Sequence, residues 1–181
     1  LNALSHLLYV DRRGAPENKQ NGFSTLEKSA LLKAIAGWSS QVDSNVIISE
    51  VNWPVQSTGL FSPITGSYDK AEFWHKKHGE TELDYADFML RFLALTVCSG
   101  HIEEVYWWRL SARGFGLVDD QDGFKPRPAF EALKFFLGLL GDTVFVKKHD
   151  TPEDCYLLEF SKGAARILMA WRVSGEQPLD G

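Results

Sequence analysis

Cysteines, basic runs and long apolar stretches are all scarce in this chain, and each scarcity excludes something. Only Cys98 and Cys155 occur in 181 residues. Two cysteines cannot form the disulfide framework of a small secreted scaffold, and they leave the compartment open. Cys98 falls in an apolar helical run and reads as a small buried hydrophobe. Lys147-Lys148 and Arg12-Arg13 are isolated pairs, and the formal net charge is -5. An acidic chain without a basic stripe has no electrostatic footprint for nucleic acid. No stretch is long and apolar enough to span a membrane. The start carries no charged-then-apolar leader; the chain opens on Leu1 and enters a strand-like run almost at once, so it reads as a segment of something longer.

Aromatics are abundant: 6 Trp, 5 Tyr and 12 Phe, 13% of the chain. That load fits a large aromatic core, or surfaces that hold the apolar faces of sugar rings. Leu4 to Val10 reads as a buried strand. Ser24-Thr25-Leu26-Glu27 is a capping box, and Leu31, Ala34, Ile35 and Trp38 follow it at helical spacing. Val46-Ile47-Ile48 is a β-branched strand, and Asp84 to Val97 is an apolar helix that Gly100 would stop. Val105 to Leu110 is a third strand. Pro128 opens a last helix with an apolar stripe of Phe130, Leu133, Phe136, Leu137 and Leu140, closed by Gly141.

Strand, long loop and helix thus recur three times, the signature of parallel strands covered on both faces. The loops after strands are long and rich in aromatics and charge; those after helices are short. In (β/α)8 barrels the chemistry sits on the loops after the strands. The expected fold is α/β: three C-terminal βα units of a partial TIM barrel over residues 1–141. An antiparallel β appendage over 142–181 is read from alternation in Thr143–Lys147, Tyr156–Phe160 and Ala165–Val173. Eight strands and about 250 residues make a whole barrel. Three units leave apolar edges that need the missing N-terminal part or a second copy.

Glu50 is the foremost chemical candidate. It ends a β-branched strand, between Ser49 and Asn52, where a carboxylate would reach the mouth of a barrel. Glycoside hydrolysis needs two carboxyl groups, and in retaining enzymes one attacks the anomeric carbon. A salt-bridged Glu at a strand end is the plain alternative.

Val46-Ile47-Ile48-Ser49-Glu50-Val51-Asn52-Trp53-Pro54 resembles the seventh strand of clan A glycoside hydrolases, with Asn52 where several of them carry Gly. Val105-Tyr106-Trp107-Trp108-Arg109-Leu110, Gly116-Leu117-Val118-Asp119 and the tract from Lys125 to Lys134 are similar to their eighth strand, its loop and the last helix. The resemblance implies that Glu50 is the nucleophile and that Trp107 or Trp108 floors the subsite of cleavage. Asn52 and Trp53 are further candidate substrate contacts. His6-Leu7-Leu8-Tyr9 resembles the sixth strand, which often supplies a His and a Tyr. His6 and Tyr9 have opposite parity, so both face inward only across a bulge. The trailing sheet, with Phe160 and Trp171, resembles the β-module that often follows such barrels.

One part is missing. The clan's acid/base Glu follows an Asn at the end of strand four, and no Asn-Glu pair here takes that place. Glycosidase activity is therefore expected of a longer protein acting on an oligosaccharide or polysaccharide, without cofactor or metal. The alternative is a non-catalytic carbohydrate-binding or polysaccharide-biosynthesis protein on the same fold. Other clusters read as ordinary surface. Asp119-Asp120-Gln121-Asp122-Gly123 lacks the distant Glu of a calcium loop. His75 and His78 sit among lysines, while His101 and His149 stand apart from them. Tyr68 and Trp74 offer either a sugar platform or loop packing. Arg12 and Arg13 offer an anion contact or a solvated loop.

Overall fold

A computed structural model describes residues 2–10, 14–19, 22–41, 43–58 and 79–173. Arg12, Arg13, Tyr68, Trp74, His75 and His78 lie outside them. The chain divides into two compact units, Leu1–Lys134 and Phe135–Gly181.

In the first unit, β1 (Leu4–Leu7), α1 (Thr25–Gly37), β2 (Val46–Val51), α2 (Glu82–Val97) and β3 (Glu104–Trp107) alternate along the chain. The strands form a parallel sheet in the order β1-β2-β3. Consecutive parallel neighbours joined through helices are the βα repeat that the apolar strands and capped helices called for. Val46, Ile48 and Val51 of β2 and Tyr85, Met89 and Phe92 of α2 are fully buried. The sheet is open at both edges among the described residues.

Both helices start where the sequence dictates. Ser24 caps α1 through the Glu27 amide, and the Glu27 carboxylate reaches back to the Ser24 N–H at 2.7 Å. That contact and the Ser24 hydroxyl hold the Glu27 carboxyl below the usual range. Thr81 caps α2 by accepting from the Asp84 amide. Gly100 takes a φ of 71° just past the C-cap of α2, a conformation that glycine adopts freely.

The buried face of α1 differs from the one the apolar spacing indicated. Leu31, Ile35 and Trp38 are exposed (47%, 37% and 77%), and Thr25, Ser29, Leu32 and Ala36 are buried. Small side chains let the helix lie close to its neighbours, and their hydroxyls are satisfied: Thr25 donates to the Pro16 carbonyl at 2.6 Å and Ser29 to that of Thr25 at 2.8 Å. Leu32→Ala is therefore expected to cost about 2–4 kcal/mol in chemical denaturation. Leu31→Lys and Ile35→Lys should each stay within about 0.5 kcal/mol. The opposite ranking would mean that the helix is rotated.

After β3 the chain makes a small hairpin of β4 (Val118–Asp119) and β5 (Lys125–Pro126). Arg127 fixes it, pairing with Asp119 at 3.1 Å and with Glu82 at the start of α2. Asp119 thus belongs to a structural ion pair. Helix α3 (Pro128–Leu140) follows, and the division between units falls within it, not after Gly141.

The second unit carries an antiparallel meander of β6 (Val144–Lys148), β7 (Cys155–Lys162) and β8 (Ala165–Arg172). The alternation seen in the sequence sorts its faces. Tyr156, Leu158 and Phe160 pair with Trp171, Met169 and Ile167 on one side. Leu158 and Phe160 are buried, and the Tyr156 and Trp171 rings stack at 4.8 Å. Glu159 accepts from Arg166 at 3.2 Å and lies 2.9 Å from His149.

Candidate active site

The end of β2 is irregular, and the irregularity decides which side chains meet. His6 pairs with Ile48 while Leu7 pairs with Glu50; on the other side Val105 pairs with Ile48 and Trp107 with Val51. Against both neighbours β2 therefore carries one extra residue between Ile48 and Val51. Such a bulge re-aims the side chains that follow it. Before it, Val46 and Ile48 point to the helices; after it Val51 does, which turns Glu50 to the opposite, open face of the sheet.

Tyr9 lies on that face, two residues past Leu7, and its hydroxyl donates to the Glu50 Oε1. The backbones are tied beside this contact: Leu8 N–H donates to the Glu50 carbonyl at 3.4 Å, and Trp108 N–H to that of Val51 at 3.0 Å. Glu50 and Tyr9 are both half-buried. His6 pairs one step below the bulge beside Ile48 and is exposed. The structure joins Tyr9 to Glu50 and keeps His6 on the other parity.

The two tryptophans of β3 part company. Trp107 shares the face of Val51, its ring stacks on Trp53 at 5.7 Å, and its indole N–H donates to the Tyr85 hydroxyl of α2 at 3.0 Å. It belongs to the helix-side core beneath the site. Trp108, the next residue and of opposite parity along the chain, is half-buried, with Phe115 edge-on at 5.5 Å and the Arg109 guanidinium 4.8 Å above its ring. The Trp108–Arg109 peptide bond is cis.

Asn52 and Trp53 also turn inward. Asn52 is buried and donates to the Phe115 carbonyl at 2.8 Å. Trp53 is fully buried, packs edge-on against Phe88 and Phe92, and donates its indole N–H to the Gly14 carbonyl at 2.9 Å. These residues brace the loops around the site and do not stand on the face with Glu50. Buried Arg91 of α2 adds to the brace, with Glu17 at 3.5 Å and Asp87 at 3.3 Å.

Tyr85 links the layers, donating its hydroxyl to the Phe115 carbonyl at 2.7 Å while accepting from Trp107. Burial pushes its pKa up to about 12, against smaller lowering from its hydrogen bonds to Trp107 and Asn52. The folded protein therefore holds this proton more tightly than the unfolded chain. The stability it lends is complete below about pH 10 and fades as pH rises towards 12. In an absorbance titration of phenolate, Tyr85 should ionise only together with alkaline unfolding; a reversible transition near pH 10 in Tyr85, identified by comparison with Tyr85→Phe, would contradict its burial.

Among the described residues no group of three or more His, Cys, Asp and Glu could hold a metal ion, and no helix is long and apolar enough to cross a membrane. No protein-family model, no curated protein and no solved structure matches the chain.

Proposed function

We propose that this chain is the C-terminal part of a (β/α)8-barrel glycosidase that acts by double displacement, with Glu50 as its nucleophile. The observation that carries the reading is the Tyr9–Glu50 pair on the bulged end of β2. A carboxylate stands at the C-terminal rim of a parallel sheet, aimed away from the helices and held by a phenol two residues past the end of the neighbouring strand. The rim of parallel strands is where barrel enzymes place their chemistry.

In this reading the Glu50 carboxylate attacks the anomeric carbon and the bond to the leaving oxygen breaks. Water then displaces the glycosyl group from Glu50. Tyr9 keeps one carboxylate oxygen engaged so that the attacking group has a fixed orientation. Trp108, covered by the Arg109 guanidinium, stands at the same end of the sheet. The proton for the leaving group comes from a second carboxylic acid, at about 5–5.5 Å in retaining enzymes, which belongs to the part of the barrel that completes the open sheet. The exposed Leu7 on the sheet and Leu31, Ile35 and Trp38 on α1 fit a surface that further barrel units cover.

An activated sugar tests the nucleophile without the acid, because dinitrophenolate leaves unprotonated. Incubation with 2,4-dinitrophenyl 2-deoxy-2-fluoroglycosides of several sugars is expected to add one glycosyl mass to the protein, on the peptide that contains Glu50. Label elsewhere, or none with any sugar while the same sugars bind, would favour a non-catalytic carbohydrate-binding protein on this fold.

A further inference from the structure

We infer that Arg109 makes the site selective for a sugar bearing a carboxylate, a uronic acid, a reading that rests on the glycosidase assignment of the Glu50 face. Acidic residues outnumber basic ones, 24 to 19. Arg91 pairs with Glu17 and Asp87, Arg127 with Glu82 and Asp119, Arg166 with Glu159, and Arg172 with Asp154. Arg113 donates to the Thr58 carbonyl. Arg109 differs from all of these: its guanidinium lies over the Trp108 ring, is exposed, and has no carboxylate partner among the described residues.

A cation held over an aromatic face keeps its outward N–H donors available, and its position is set without a carboxylate. It follows directly on Trp108, at the end of β3 that lies against the Glu50 end of β2. A sugar with its anomeric carbon towards Glu50, lying beside the Trp108 ring that the guanidinium covers, would present its rim to that guanidinium. The planar fork matches a planar carboxylate through two parallel hydrogen bonds. A neutral sugar would leave the cation without a partner. Binding that depends on charge-assisted bonds of this kind weakens as salt rises.

The test is binding of paired methyl glycosides to the 181-residue chain by titration calorimetry or ligand-observed NMR. Each of the gluco, galacto and manno series is measured as the uronate and as the neutral sugar. In the series that binds, the uronate should bind about tenfold or more tightly, with the margin shrinking as salt is raised. Arg109→Gln should lower the uronate's affinity more than the neutral sugar's and so remove the margin; Arg109→Lys should restore part of it. Equal affinities for uronate and neutral sugar, or a margin that survives Arg109→Gln, would overturn the role of Arg109 while leaving the carbohydrate site standing. A 6-phosphate sugar that outbinds the uronate would overturn the carboxylate in favour of another anion. Failure of every glycoside to bind would overturn both this inference and the carbohydrate reading.

Discussion

If the proposed glycosidase reading holds, replacing Glu50 by Gln should abolish hydrolysis, by about 10⁴-fold or more, as removal of a nucleophile does in other covalent enzymes. The amide keeps the size of the side chain but has no charged oxygen to attack with. Tyr9→Phe should have a smaller effect in the same direction. It removes one hydrogen bond to a charged group, worth about 1.5–3 kcal/mol, hence roughly 10–100-fold in rate. The two variants separate chemistry from binding. If Glu50→Gln lowers kcat while sugar affinity is retained, the carboxylate reacts. If activity survives, the nucleophile lies elsewhere. A loss confined to binding would make the site a carbohydrate receptor. Because Glu50 and Tyr9 share one contact, the double variant should be no slower than Glu50→Gln alone; additive losses would mean that Tyr9 acts on its own.

Trp53→Ala should destabilise the first unit by about 3–5 kcal/mol. Trp53 is fully buried, sits among Phe88, Phe92 and Trp107, and satisfies the Gly14 carbonyl. Removing it opens a large cavity and orphans a backbone acceptor together. A lower denaturation midpoint with an unchanged slope is the expected signature. If Trp53 were instead a sugar platform, the variant would keep its stability and lose affinity. The same comparison sorts the neighbouring tryptophans. Trp107→Ala should fall with stability, since its ring stacks on Trp53 and its indole bonds Tyr85. Trp108→Ala should fall mainly with binding.

The local grammar of the chain was legible without coordinates. The capping box at Ser24, the stop at Gly100, the opening Pro128 and the alternation of Tyr156, Leu158 and Phe160 are short-range signals, and each element forms within a few residues of where they place it. The order strand–helix–strand–helix–strand also dictated parallel pairing, because a short hairpin cannot join such strands. Glu50 stood out for its position at a strand end.

What the sequence left open is what depends on partners distant along the chain. Burial on α1 depends on what the helix meets, and in this unit Ser29 and Ala36 are buried while Ile35 and Trp38 are exposed. His6 and Tyr9 compete by parity alone, and the extra residue of β2 brings Tyr9, not His6, to Glu50. Trp107 and Trp108 are adjacent and chemically alike; only the register of β3 on β2 sends Trp107 to the core against Trp53. Arg109 carries no sequence mark at all, since its place over the Trp108 ring is a property of the folded arrangement. Periodicity and capping act over a few residues and are written in the chain, whereas side-chain facing and charge pairing are settled by packing between segments tens of residues apart.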